Sequence, residues 1–364
     1  MHMKKLLIAT VLMFTAFTLS PARDKSGDIR IRVDKVWDNG MYNAFTSLVE
    51  FNGRYYIAFR EETGHIWGDD DKAEGKIRIL ESRNGRKWES VAILSIEGYD
   101  LRDPNLTITP DGRLMLSTMR ALYKGRNRLS GVSMVAFSNN GRDFGDLTPV
   151  VMENPCATGF DWIWKLAWGK DGNGRDAAYG VCYSGIPNPE TDLESNTTVT
   201  ALLKTYDGVN YSFVAKLPFA PEEFSNETAP LFLPDGRLAL WVRREKGGTH
   251  GYWGVSAAPY DKWEFKDMGM RLGGPFLCNL DDDTIVACSR SYNMPTSYRT
   301  VLMSCTAEGD FREVCILPSG GDAGDTAYAG MIVVKDELWV SYYSRKGATR
   351  PSIYLARIPT RIFK

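Results

Sequence analysis

Apolar and polar residues alternate along this chain in short runs separated by turn-forming residues, and one two-strand phrase returns six times. Its copies begin at Leu48 (LVEFNGRYYIAFRE), Leu106 (LTITPDGRLMLSTMR), Leu166 (LAWGKDGNGRDAAYGVCYS), Pro230 (PLFLPDGRLALWVRRE), Phe276 (FLCNLDDDTIVACSRS) and Met331 (MIVVKDELWVSYYS). Period-two alternation around Gly- and Asp-bearing turns predicts β-hairpins. After each of the first five copies stands a second hairpin-like unit, such as KIRILESRNGRKWESVAIL behind the first. Starts separated by 58, 60, 64, 46 and 55 residues suit four-stranded blades repeated around one axis. Only a single strand, PSIYLARI, follows the sixth copy, which would leave a sheet edge unpaired. The alternating segment at residues 29–37, IRIRVDKVW, is the natural donor of the missing strand. The expected fold is all-β, a six-bladed β-propeller closed by an N-terminal strand.

Composition fits this picture, with 43% hydrophobic and 12% aromatic residues for a large core. No linker-like stretch interrupts the repeats, so residues 23–364 are read as one domain. Residues 1–22 differ: Lys4 and Lys5 precede an apolar run over residues 6–19, then Ser20, Pro21 and Ala22. That order predicts a secretory signal peptide cleaved after Ala22, and a periplasmic or secreted product. The run is shorter than the roughly 20 residues of a spanning helix, so no stable membrane span is expected. A formal net charge of −1 gives no basic field for nucleic acid. Six cysteines without a close CxxC pair, and only three histidines, argue against a zinc site. No metal, cofactor or disulfide is predicted, and the chain is expected to act as a monomer.

The sharpest chemical signal is an arginine register. Seven residues beyond Gly53, Gly236 and Asp283, which hold equivalent turn positions, stand Arg60, Arg243 and Arg290. Side chains alternate faces with a period of two, so equal offsets from equivalent turns predict equal orientations. One arginine at a strand end is ordinarily a solvated surface group; three gathered in a ring repel one another unless an anion sits among them. Planar guanidinium forks suit a carboxylate. Glu227 opens the fourth copy and Tyr328 precedes the sixth, where both approach the ring axis, although tyrosines are more often simple packing residues.

With the turns SRNGRKW (residues 82–88), SNNGRDF (138–144) and TYDGVNY (205–211), these residues make the chain resemble the sialidase (neuraminidase) superfamily, six-bladed propellers marked by Asp-box hairpins. The resemblance spans essentially the whole chain beyond the leader. It implies an exo-acting retaining glycosidase that removes a terminal acidic sugar, above all sialic acid, from an extracellular glycan. Arg60, Arg243 and Arg290 would hold the sugar carboxylate. Tyr328 would be the nucleophile, and Glu227, sixteen residues before Arg243, the base that takes its proton. A neutral phenol avoids the repulsion that an anionic nucleophile would meet, and the arginines are expected to lower its pKa. The acid/base carboxyl is expected in the loop EETGHIWGDDDKAEGKIRIL, from Asp70, Asp71 or Glu74, with Asp71 and Glu74 preferred. Arg102, Asp103 and His65 complete the candidate substrate contacts. Two departures stand out: Arg60-Glu61-Glu62 where many sialidases read Arg-Ile-Pro, and the unfamiliar phrase LRDPNL at residues 101–106. Two other readings keep the same pocket: a glycosidase for a uronic or different ulosonic acid, with His65 as proton carrier, or a carbohydrate-binding propeller without chemistry.

Overall fold

A computed structural model describes residues 22–23 and 30–364, apart from 66–72, 126, 192, 293–297 and 320–325. Six sheets surround one axis, antiparallel except that Val151–Glu153 adds a parallel outer strand beside Asn210–Lys216 in the third, and consecutive inner hairpins open the blades as the repeated phrase predicts. The first blade runs Tyr42–Phe51, Arg54–Glu62, Lys76–Ser82 and Glu89–Leu94, and the next four follow the same order. The sixth joins Thr326–Val334, Glu337–Ser344 and Ser352–Pro359 to the N-terminal strand Arg30–Trp37. That strand pairs antiparallel with the last, Arg32 opposite Arg357 and Val33 opposite Ala356. The expected closure is therefore the observed one. The segment read as a signal peptide, residues 1–22, lies outside the described residues except for Ala22, which with Arg23 pairs against Arg30 and Ile31.

Packing between blades forms the core. Tyr56 and Ala58 meet Leu106 and Leu116 of the second blade, while Ile57 and Phe59, on the opposite face, meet Leu355 of the sixth. This two-sided burial is why the strands carry apolar residues on both faces rather than on one.

Three outer turns share one hydrogen-bond pattern. Ser82, Ser138 and Thr205 hydroxyls each accept from the glycine N–H three residues on, at 2.9 Å in each turn. Asn84, Asn140 and Asp207 side chains then accept from backbone N–H groups two residues on, at 3.0, 2.9 and 2.8 Å. Each side chain thus satisfies the turn's backbone locally. Each turn glycine also has positive φ and abuts the preceding blade, Gly85 against Trp339 and Gly141 against Tyr56.

Candidate active site

The innermost strands of five blades break register at matching places. The shifts fall between Ala44 and Ser47, Arg102 and Asn105, Ile163 and Leu166, Ser225 and Thr228, and Ala327 and Gly330. Such bulges insert residues that the neighbouring strand does not match and re-aim their side chains. Phe45, Asp103, Trp164, Lys165, Glu227 and Tyr328 all lie within them. Phe45, Asp103 and Tyr328 have φ of 61°, 45° and 50°, a left-handed backbone that costs free energy for residues other than glycine. The ring thereby turns one residue or two per blade toward the axis, where a cavity of 570 Å³ opens.

At its base the Tyr328 hydroxyl donates to Glu227 Oε1 at 2.7 Å. Arg243 Nη1 lies 2.6 Å from the same oxygen and 3.2 Å from the phenol oxygen. Glu227 Oε2 accepts from the Gly274 N–H at 3.0 Å, which fixes the carboxylate plane. Arg290 covers the Tyr328 ring at 5.3 Å and is anchored to the Thr326 carbonyl by Nε and Nη2. Burial pushes the phenol well above its ordinary pKa and Glu227 adds to this, while Arg243 and Arg290 pull it down. The expected lowering of the phenol pKa is thus reversed, because desolvation outweighs the two guanidinium groups. Tyr328 rests as a neutral phenol hydrogen-bonded to Glu227.

Arg60 and Arg290 reach residues of the following blade, Asp100 and Thr326, whereas Arg243 lies against Glu227 of its own blade and Tyr328 of the sixth, and the three do not converge in the cavity. Arg60 is fully buried; Nε donates to Asp100 Oδ1 at 2.7 Å and Nη1 to the Gly64 carbonyl at 2.9 Å. Asp100 intercepts it, and Arg102 takes the other oxygen at 3.2 Å. Arg102, not Arg60, lines the cavity, and its Nη2 makes no hydrogen bond to a described residue. Arg243 lines it too, with Glu245 on its second fork. Glu61 turns away to a bidentate pair with Arg78, at 2.6 and 2.8 Å. Asp100 was missed by sequence reasoning, although it stands two residues before Arg102 and so shares its face of the strand.

Among the remaining candidates, His65 lines the cavity and bonds through Nδ1 to the Tyr42 hydroxyl at 2.5 Å. Asp103 lines it as well, its Oδ2 accepting from the Trp164 indole N–H at 3.2 Å. Burial raises the Asp103 carboxyl to about 6; Arg102 opposes the rise, Glu227 adds to it, and Trp164 and Lys165 oppose it. Lys165 in turn is lowered to about 8 by burial, against the pull of Asp103 and Glu227. Glu74 is not among the lining residues; its N–H donates to Glu62. Asp70 and Asp71 lie outside the described residues. Three buried polar atoms without a protein partner, Asp103 Oδ1, Trp162 Nε1 and Arg243 Nε, belong to residues lining this cavity, which suits a polar ligand. Among the described residues no cluster of His, Cys, Asp and Glu could hold a metal ion, and no helix is long and apolar enough to cross a membrane.

No family model matches the chain, and no curated protein matches it in sequence. Solved structures do share its fold. A Dyadobacter fermentans protein of unknown function superposes with a TM-score of 0.75 at 17% identity, over 90% of this chain and 99% of that one. A Trypanosoma rangeli sialidase, solved with difluorosialic acid as a covalent intermediate, gives 0.63 at 12% identity, over 95% of this chain and 58% of that one. A Penicillium chrysogenum α-L-arabinanase bound to arabinobiose gives 0.60 at 15%, over 88% and 94%. The fold is a six-bladed propeller. Proteins that act on glycans are among its structural neighbours.

Proposed function

We propose that the chain is an exported, exo-acting retaining glycosidase that removes a terminal acidic sugar, sialic acid first among them, from extracellular glycans. The observation that carries this reading is the Tyr328–Glu227 hydrogen bond of 2.7 Å at the base of a cation-bearing cavity. A phenol and its proton acceptor in hydrogen-bond contact form a nucleophile and base pair. Arg243 beside both oxygens would stabilise the phenolate as it develops, and Arg102, with one fork uncommitted, would take the sugar carboxylate. Tyrosine is the exception among glycosidase nucleophiles, and it suits a sugar that carries an anion beside the reacting carbon. The basic and apolar leader ending at Ala22 supports export.

Release of 4-methylumbelliferone from its sialoside tests this directly. The purified chain should turn over, and Tyr328→Phe should fall to background while keeping its fold. Turnover unaffected by Tyr328→Phe would remove the tyrosine mechanism. His65, bonded to Tyr42 at the cavity wall, favours a second reading in which another acidic sugar is cleaved with the imidazole as proton carrier. Loss of turnover in His65→Gln but not in Tyr328→Phe, on a glucuronide, would select it.

A further inference from the structure

Resting on the tyrosine-dependent reading of the site, the geometry points to Asp103 as the group that protonates the leaving oxygen and then activates water. Asp103 occupies the bulge of the second blade's inner strand, the counterpart of the bulges that present Glu227 in the fourth and Tyr328 in the sixth. Its backbone is held left-handed at φ 45°, as Tyr328 is at 50°. A strained backbone kept in place at an aspartate is explained if the chain needs that carboxyl at the axis.

Its surroundings fit an acid more closely than an anchor. A carboxylate meant to bind sugar hydroxyls would be expected to stay ionised. Asp103 instead has one oxygen held by the Trp164 indole and the other, Oδ1, buried with no protein partner. It shares the cavity with Glu227, and the two carboxyls raise the free energy of each other's charge. Arg102, Lys165 and Trp164 face it from the opposite sense and keep the rise moderate. Its carboxyl, near 6, is then protonated in a useful fraction of molecules around neutral pH and ready to ionise, as an alternating acid and base requires. Glu74, the described alternative from the loop, lies away from the cavity.

The steps balance. In the first, Tyr328 Oη bonds to the anomeric carbon as its proton passes to Glu227; the glycosidic C–O bond breaks and its oxygen takes the Asp103 proton. In the second, water gives a proton to Asp103 and its oxygen bonds to the anomeric carbon. The C–O bond to tyrosine breaks, and the phenolate recovers its proton from Glu227. Glycoside and water become free sugar and alcohol, and every side chain returns to its starting state.

The test compares Asp103→Asn with the wild-type full chain on two substrates of one acidic sugar, an aryl glycoside with an acidic phenol leaving group and a sugar-linked glycan. Loss of the acid should slow the glycan by about 10²–10⁴-fold. Aryl cleavage needs no proton, so its first step should survive and a glycosyl adduct on Tyr328 should accumulate, visible in the intact mass. Azide should discharge that adduct as the glycosyl azide. Trp164→Phe, which keeps the carboxyl but removes its indole donor, should move the basic limb of the pH profile upward. Equal losses on both substrates, expressed in KM without adduct or azide rescue, would overturn the assignment and leave Asp103 a binding residue. So would the leaving-group pattern appearing in Asp71→Asn instead. A wild-type chain inert toward every acidic aryl glycoside would overturn the reading of the site and this inference with it.

Discussion

Glu227 and Tyr328 are 101 residues apart in sequence and 2.7 Å apart in space; the repeat pattern put both at the ring axis, and the family resemblance singled them out as a pair. Each opens an inner strand, and a ring places all such openings around one axis. Arg60 shows where that reasoning stops. Its face was legible from the turn offset, but its partner was not, because Asp100 comes from another blade and no local spacing announces an interblade ion pair. Asp103 likewise gave no sign of its ionisation, which depends on burial and on Glu227 across the cavity. That shift has a consequence for stability. The carboxyl moves from 3.8 to about 6 on folding, so the folded chain binds more protons than the unfolded one between those values. Stability therefore falls as pH rises through that window, by roughly 3 kcal/mol once above it. Asp103→Asn removes the penalty. Its Tm should exceed that of the wild type by several degrees near pH 7.5 and converge with it near pH 4. A variant equally destabilised at both values would show the carboxyl to be structural.

At the scale of the element, the alternation that predicts strands could not reveal the bulges. An extra residue at the end of an inner strand shifts the pattern for a single step, and bulged and regular strands then read alike. Yet five bulges build the site. The Asp-box turns were the opposite case, since Ser-Arg-Asn-Gly and its relatives carry their own hydrogen-bond partners and fold from local instructions. Their glycines answer two demands, whereas Gly53 in the first inner hairpin answers one. Gly53 has φ 69° with open space around it, so Gly53→Ala should cost only the left-handed backbone, about 1–2 kcal/mol. Gly141 has φ 77°, and a Cβ there would stand 2.4 Å from the Tyr56 ring of the first blade. Gly141→Ala should cost about 1–3 kcal/mol more than Gly53→Ala in urea unfolding, because the blades must also part. Equal costs would mean that the turn does not lock one blade to the next.

For the whole molecule, the ring holds together only if its last sheet is completed from the other end of the chain. The N-terminal strand Arg30–Trp37 seats Ile31 against the fifth and sixth blades and Trp37 against the core beside the first. Asp34 accepts from Arg357 at 2.5 Å, and the same guanidinium reaches the Gly85 carbonyl in the first blade's Asp-box turn. The strand thus fastens the seam as well as filling it. Cleavage after Ala22 would leave all of this intact, and a chain beginning at Arg23 should unfold as one cooperative unit. A chain beginning at Asn39 loses Ile31, Val33, Val36 and Trp37 together. At about 1.5–3 kcal/mol for each fully buried side chain, less for those half exposed, that loss rivals the 5–15 kcal/mol by which whole domains are stable. It also bares the Ser352–Pro359 strand as an unpaired edge. The shorter chain should therefore aggregate or melt well below the longer one, and a synthetic peptide of residues 29–38 added in trans should restore part of the lost Tm. A shorter chain that stays monomeric with an unchanged Tm would show that the ring is closed by blade packing alone.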